Sequence, residues 1–308
     1  MFKKYAWPVV GLIAVAVSAW FLYRELRGVS LDQLGDSFSA ISLHRWLLAG
    51  VGALVAYIAL AGYDALALRH LRRKISFLFI TLTSFTTYAI SHNLGASVLS
   101  GSLIRYRAYS SKGMSAIEIG QLVAFCSFTF ALGTILLSGI SLTFDPALAG
   151  RFIDSLSPEM ARAIGILLLL AVGAYVYGSW RGLRPLVLGP IKIFYPNLRT
   201  VLLQLVIGPL ELLGAAAIIY FALPEAANPG FFTVLGIFLM SFSAALASTA
   251  PGGLGVLELL FVKGLPEIDP SDVLAALIVF RLLYLLIPLA LSLVVVLVFE
   301  RNLLRRQS

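Results

Sequence analysis

The chain is organised as long apolar runs separated by short polar stretches. Runs long enough to cross a bilayer as helix, at least ~17 residues, fall at 6–23, 46–68, 119–143, 161–180, 200–222 and 273–299. Two further apolar regions, 77–104 and 231–264, are interrupted by residues that weaken helices. In the first these are Ser91, Asn93, Gly95 and Gly101; in the second they are Pro251, Gly252, Gly253 and Gly255. Lipid cannot hydrogen-bond free backbone N–H and C=O groups. A helix broken at membrane depth therefore belongs where it is buried in protein or lines a wet cavity. The stretch 29–45 differs: Leu31, Leu34, Phe38 and Ile41 recur at helical spacing, with Asp32, Gln33 and Asp36 between them. That spacing predicts a short amphipathic helix, lying on the outer membrane interface or packed on the bundle as an ordinary loop helix.

Composition agrees with the pattern. Of 308 residues, 60% are hydrophobic and 12% are charged, against about 25% charged in soluble domains. The expectation is an all-α polytopic membrane protein, one transmembrane domain over 1–308, with no connection long enough for a soluble catalytic domain. Lys3 and Lys4 precede the first apolar run, and Ala16-Val17-Ser18 has a small-x-small pattern that a cleaved signal peptide would show. Because Ala19, Trp20 and Phe21 continue the run, a retained first span is the favoured reading.

The net charge of +8 sits in short loops, which points to positive-inside topology and away from nucleic acid. Arg69, Arg72, Arg73 and Lys74 mark one cytoplasmic loop, Arg105, Arg107 and Lys112 a second, and Arg181, Arg184, Lys192 and Arg199 a third. Arg301, Arg305 and Arg306 mark the C-terminus, whereas the loops with Asp145, Asp154 and Glu159, with Glu225, and with Glu267, Asp269 and Asp272 are acidic. One threading satisfies all of them: six full spans, re-entrant hairpins at 77–104 and 231–264, and both termini cytoplasmic. The units 46–143 and 200–299 then have inverted topology, and transporters commonly place their substrate site where the broken helices of such repeats meet.

Several ionisable residues fall within or beside the spans: Asp64, Glu118, Glu211, Glu258, Lys263 and Arg281. Such groups are costly in hydrocarbon and face the bundle interior, paired or wet. Glu258 follows Gly252, Gly253 and Gly255, so a half-helix starting near Gly255 offers free N–H groups to an anion such as phosphate. Glu258 can equally cap those N–H groups or pair with Arg281. Arg281 is suited to phosphate by its planar fork, with Tyr284 on the same side at i,i+3; its bland role is an ion pair with Glu258 or Glu211. Arg105 and Arg107 either attract anionic headgroups or only set topology. Asp64 is a candidate partner for a basic group of the first hairpin. Glu211, after Gly208-Pro209, is a candidate proton-coupling carboxylate or a buried neutral acid. His92 is a lone histidine without a cysteine or carboxylate cluster, so no metal and no cofactor is expected. Cys126 is the single cysteine, which excludes disulfides within one chain. No hydrolytic triad, phosphate-binding Walker loop or zinc helix is present.

Three signatures carry a family resemblance. Ser91-His92-Asn93-Leu94-Gly95, then Gly101 and Arg105-Tyr106-Arg107-Ala108-Tyr109-Ser110, form the first. Pro251 to Glu258 form the second, and Phe280-Arg281-Leu282-Leu283-Tyr284 with Pro288 the third. In this order they resemble the lysylphosphatidylglycerol synthetase transmembrane-region family, which includes the membrane half of MprF-type proteins and stand-alone inner-membrane members. The resemblance implies a phospholipid transporter or flippase of the bacterial inner membrane, for an anionic or aminoacylated headgroup. Arg105, Arg107, Glu258 and Arg281 match family positions. The soluble aminoacyl-transfer domain of MprF is missing from these 308 residues, so aminoacyl transfer is not expected. The alternatives are a membrane-embedded enzyme acting on lipid or polyprenyl substrates and a non-transporting partner of a lipid-synthesis enzyme. Membrane phospholipid is the expected partner; a lipid-synthesis enzyme and a second copy of the chain stay open.

Overall fold

The computed structural model describes residues 31–94, 97–153, 155–183, 186–188, 191–193, 196–248 and 251–307. The span at 6–23, the small-x-small site at 16–18, Asp154 and Arg184 lie outside these residues. The described chain is helical apart from a ribbon of two antiparallel strands, β1 (Leu186–Leu188) and β2 (Ile191–Ile193), in register Val187 to Lys192. The helices are α1 (Leu31–Ser39), α2 (Leu43–His70), α3 (Phe77–Leu94), α4 (Ser97–Ser110), α5 (Ala116–Phe144) and α6 (Pro158–Arg181). There follow α7 (Leu198–Ala222), α8 (Phe231–Ser248), α9 (Val256–Gly264), α10 (Pro270–Phe280) and α11 (Ile287–Gln307). A 3-10 turn, Pro251–Gly253, precedes α9, and a π-helical turn, Arg281–Leu286, joins α10 to α11.

Among the described residues, six helices are long and apolar enough to cross a membrane: α2, α5, α6, α7, α8 and the continuous Pro270–Val298. Five coincide with spans expected from sequence. The sixth, α8, is the first arm of the 231–264 region, and its 18 residues are enough to cross on length alone. The molecule is inside-out relative to a soluble bundle. On α2, Leu43, Leu47, Val51, Leu54 and Ile58 form an exposed stripe, while Ala49, Ala53, Ala56 and Ala67 are buried. Small residues inside let backbones approach where lipid provides no hydrophobic drive between helices.

Glycines set those approaches. A Cβ on Gly52 would lie 2.8 Å from the Gly214 carbonyl oxygen, and one on Gly214 would lie 2.7 Å from the Gly52 oxygen, so α2 and α7 touch backbone to backbone. Gly133 of α5 meets Gly208 of α7 still more closely, with a Cβ 2.5 Å from the Gly208 carbonyl carbon. A buried polar chain ties the same helices: Tyr175 donates to Gln204 Oε1 at 2.9 Å, and Gln204 Nε2 to Thr129 Oγ1 at 2.8 Å.

Polar contacts at the helix ends define which ends lie together. Arg73, just past α2, donates Nε and Nη2 to the two oxygens of Glu118 in the first turn of α5, both at 2.7 Å. The segment between them, α3 and α4, thus departs from and returns to one end of the bundle. At the opposite end Arg45 caps α7, donating Nε to Phe221 O at 2.7 Å and Nη2 to Leu223 O at 2.6 Å. Arg151 caps α9 through Gly264 O at 2.6 Å and also reaches Glu267. Gly264, the last residue of α9, packs on Ile237 near the start of α8, so these two helices run antiparallel. Helix α1 docks on α10, with Ser37 Oγ donating to Ser271 Oγ at 3.2 Å, and on α2, with Phe38 edge-on to Trp46. Asp269 caps α10, and the Ser271 hydroxyl and amide hold its carboxyl below the usual carboxylate range.

Gly208→Ala and Gly214→Ala are expected to lower the thermal unfolding midpoint in detergent, each costing about 1–3 kcal/mol as overpacking against backbone that cannot yield. Gly173→Ala in α6, where a Cβ meets nothing within 4 Å, is expected to leave the midpoint unchanged or raise it by the helix preference of alanine. Equal midpoints for all three would show that the α2–α7 and α5–α7 crossings are not close.

Candidate functional site

The second helix break is built from glycine. Gly252, Gly253 and Gly255 have φ of 59°, 65° and 78°, a left-handed region that residues with a Cβ enter at a cost. The turn leaves peptide groups without helical partners, and one ion pair answers them. Glu258 Oε2 accepts from the Gly255 amide at 2.8 Å. Its Oε1 accepts from Arg281 Nε at 2.7 Å and also from Arg281 Nη2. Arg281 Nη1 then donates to the Gly252 carbonyl at 3.0 Å. The side chains are only 16% and 11% exposed.

Arg281 opens the π-helical turn, and Pro288 explains part of that turn. Proline has no N–H, so the Tyr284 carbonyl, four residues earlier, lacks its helical donor. The Tyr57 hydroxyl supplies one at 2.9 Å. The Leu285 carbonyl accepts from Asn93 Nδ2 at 3.1 Å. A π turn at this place fits the general habit of such turns to sit at functional sites. The Tyr284 hydroxyl donates to Glu211 Oε1. The Tyr284 ring is sandwiched between His92, 5.3 Å away and 21° from parallel, and Phe280, 5.1 Å away and also at 21°. The end of α3, carrying His92 and Asn93, and the 3-10 turn at Gly252 therefore converge on one turn of one helix.

A second ion pair lies apart from this centre. Asp64 is fully buried and Arg105 is 4% exposed. Arg105 Nη2 donates to Asp64 Oδ1 at 2.6 Å and Nε to Oδ2 at 3.2 Å. Tyr109 adds a donor at 2.8 Å and Cys126 Sγ one at 3.5 Å. The Arg105 guanidinium also lies over the Tyr88 ring at 4.8 Å. Gly101, one turn before Arg105, packs against Thr87 of α3. Arg107 points elsewhere, to a largely apolar cavity of about 680 Å³ between α3, α4 and α11, lined among others by Leu82, Thr86, Ile90, Leu103 and Val294. Among the described residues no group of three His, Cys, Asp or Glu could hold a metal ion.

The structure thus gathers Gly252, Gly253, Gly255, Glu258 and Arg281 in one cluster, and Tyr284, Glu211 and His92 beside it. Arg281 and Tyr284 serve different carboxylates, because the π turn changes the angle between them. Asp64 and Arg105 form a separate interior lock, with the guanidinium turned to its aspartate instead of to a headgroup. Sequence reasoning passed over Tyr57, Tyr63 and Arg45. The position of Pro288 four residues after Tyr284 was a legible signal for a free carbonyl, and Tyr109 at i+4 from Arg105 was a signal for a shared face.

Comparison with known proteins places this geometry. The family model described as "Lysylphosphatidylglycerol synthase TM region" matches residues 11–292. The chain is 33% identical over 93% of its length to the uncharacterized protein slr0712 of Synechocystis sp., covering 89% of that protein. It is 31% identical over 82% of its length to the inner membrane protein YbhN of Escherichia coli, covering 80% of it. A "Phosphatidylglycerol lysyltransferase" of Staphylococcus haemolyticus is 25% identical over 94% of the chain, which spans only 33% of that longer protein. With the family model covering nearly all of the chain, this multi-pass membrane protein belongs to the lysylphosphatidylglycerol synthase TM region family.

Proposed function

We propose that this protein moves a phospholipid with an anionic or aminoacylated headgroup across the bilayer. The observation that carries the reading is the convergence of the end of α3 and the Gly252 turn on the Arg281–Leu286 turn, where Arg281 is held by one carboxylate and one carbonyl. An arginine so held is a phosphate site in waiting: Glu258 offers Nε and Nη2 one oxygen, whereas a lipid phosphate can offer them two and so competes with it. If phosphate displaces Glu258 from Nε and Nη2, the ion pair that holds the Gly252–Gly255 break opens and the break is free to rearrange. The apolar cavity that Arg107 borders supports a path in which acyl chains stay in an apolar environment. The relation to a protein named for lysyl transfer to phosphatidylglycerol supports a phospholipid substrate.

The topology in this reading has α3–α4 and α8–α9 as re-entrant hairpins from opposite faces, with Arg73 and Glu118 on the cytoplasmic side. The Arg73–Glu118 pair supports it by closing the loop across α3–α4, and the turn 146–151 supports it by meeting both arms of α8–α9, with Leu148 on Gly236 and Arg151 paired to Glu267. Arginines on the outer side, Arg45 and Arg151, are accounted for by the carbonyls they cap.

Side-specific thiol labelling tests the threading. In a Cys126→Ser background, Lys74→Cys and Lys112→Cys are expected to label from the same face, and Glu225→Cys and Glu267→Cys from the other. Labelling of Lys74→Cys and Lys112→Cys from opposite faces would overturn the hairpin.

Transport itself is tested by reconstitution into liposomes with fluorescent phosphatidylglycerol. Wild type is expected to exceed protein-free vesicles. Arg281→Lys, which keeps charge and loses the fork, is expected to slow movement by roughly tenfold to a hundredfold, the worth of about 1.5–3 kcal/mol for a charge-assisted bond. Wild-type rates no faster than empty vesicles, across several anionic headgroups, would remove the reading.

A further inference from the structure

Glu211 is 1% exposed in the middle of α7. Two cations lie in the same interior, and each already has its own carboxylate: Arg105 has Asp64 and Arg281 has Glu258. Glu211 Oε1 accepts from Tyr284, while Oε2 has no hydrogen-bond partner among the described residues. The other hydroxyl facing this carboxylate belongs to Tyr63, whose proton is committed to the Gly208 carbonyl at 3.0 Å. The Tyr63 oxygen still has lone pairs to accept with. An ionised Glu211 therefore leaves Oε2 as a buried charge without a donor, and protonation removes that charge.

Among the described residues, no further charged group faces this carboxylate. From α2 the titratable groups facing Glu211 are Tyr57 and Tyr63, and from the π turn Tyr284. His92 of α3 meets the far face of the Tyr284 ring. Helix α8 has no titratable side chain, Cys126 of α5 is engaged with Asp64, and Tyr175 of α6 with Gln204.

We propose that Glu211 is a proton-binding site. Its protonation, passed through the Tyr284 hydroxyl to the turn that begins with Arg281, sets whether the Arg281–Glu258 closure holds. Proton uptake places H⁺ on Oε2 and neutralises the carboxylate, which weakens the bond from Tyr284, since hydrogen bonds to charged acceptors are roughly twice as strong. Tyr284 lies three residues after Arg281 in the π turn, so loosening one end of that turn reaches the other. As a coupling device this rests on the lipid-moving reading; as a proton site it does not.

The test has two arms. Infrared difference spectra of the full chain in detergent are expected to show a protonated carboxyl band that titrates with pH and is lost in Glu211→Gln. Tyr284→Phe is expected to displace the midpoint, and it carries the test should Glu211→Gln fail to fold. A band unchanged by either variant, or no titration, overturns the proposal. In proteoliposomes, wild-type lipid movement is expected to change about tenfold between one pH unit below and one above that midpoint, and Glu211→Gln less than about twofold. A titrating band without lipid movement in wild type sinks the transport reading and leaves the proton site standing. Lipid movement with the same pH profile in Glu211→Gln sinks the coupling alone.

Discussion

A helix broken among apolar neighbours exposes peptide groups that lipid cannot hydrogen-bond, and the centre of this protein is arranged around that constraint. At Gly252–Gly255 the free carbonyl and the free amide are both satisfied by one ion pair, Arg281 taking the first and Glu258 the second. Neither side chain is tenable alone: an uncompensated buried charge costs about 3–5 kcal/mol. The break needs the pair, and the pair needs the break to fill its remaining bonding positions. The same logic runs on to the π turn, where the carbonyls of Tyr284 and Leu285 accept from Tyr57 and from Asn93. Each irregularity supplies the partner for another, which is why they lie together.

Around that centre the scaffold is set by contacts of the opposite kind. Gly52 with Gly214 and Gly133 with Gly208 bring α2, α5 and α7 to backbone contact, and Tyr175, Gln204 and Thr129 link α5, α6 and α7 with satisfied polar groups. Packed cores of this sort resist continuous deformation. Irregular segments held by a few side-chain bonds have alternative arrangements at lower cost. In the proposed transport, rearrangement falls at α3, the Gly252 turn and the π turn, with α2 and α7 as the frame.

The spans were legible because a membrane-crossing helix needs only length and apolarity, both written in local composition. The breaks were legible for the same reason in reverse: Pro251, Gly252, Gly253 and Gly255 interrupt a run that otherwise has no cause to stop. What local composition cannot supply is distance between residues far apart in the chain. The pairing of Arg73 with Glu118, 45 residues later, and the capping of α7 by Arg45, 176 residues from Phe221, depend on how helices assemble. Glycine seams were invisible for a related reason, since Gly208 in contact and Gly173 in open space look alike in sequence. At the site, the residue types were readable and their partners were not. Asp64 pairs with Arg105, just past the 77–104 region where its partner was expected, but the π turn, which aims Tyr284 at Glu211, has no signature beyond Pro288.

The two interior ion pairs differ in a way that assigns them different jobs. Asp64 receives two bonds from Arg105, one from Tyr109 and a weak one from Cys126, all inside a buried cluster with the guanidinium over Tyr88. Every bond there joins side chains, so opening it strands a carboxylate and gains nothing. Glu258 and Arg281 are partly exposed and spend two of their bonds on backbone that is already irregular. Opening that pair strands groups that a phosphate on one side and water or a rewound turn on the other can satisfy. Of two pairs built from the same chemistry, the one that holds a broken helix is the one able to let go.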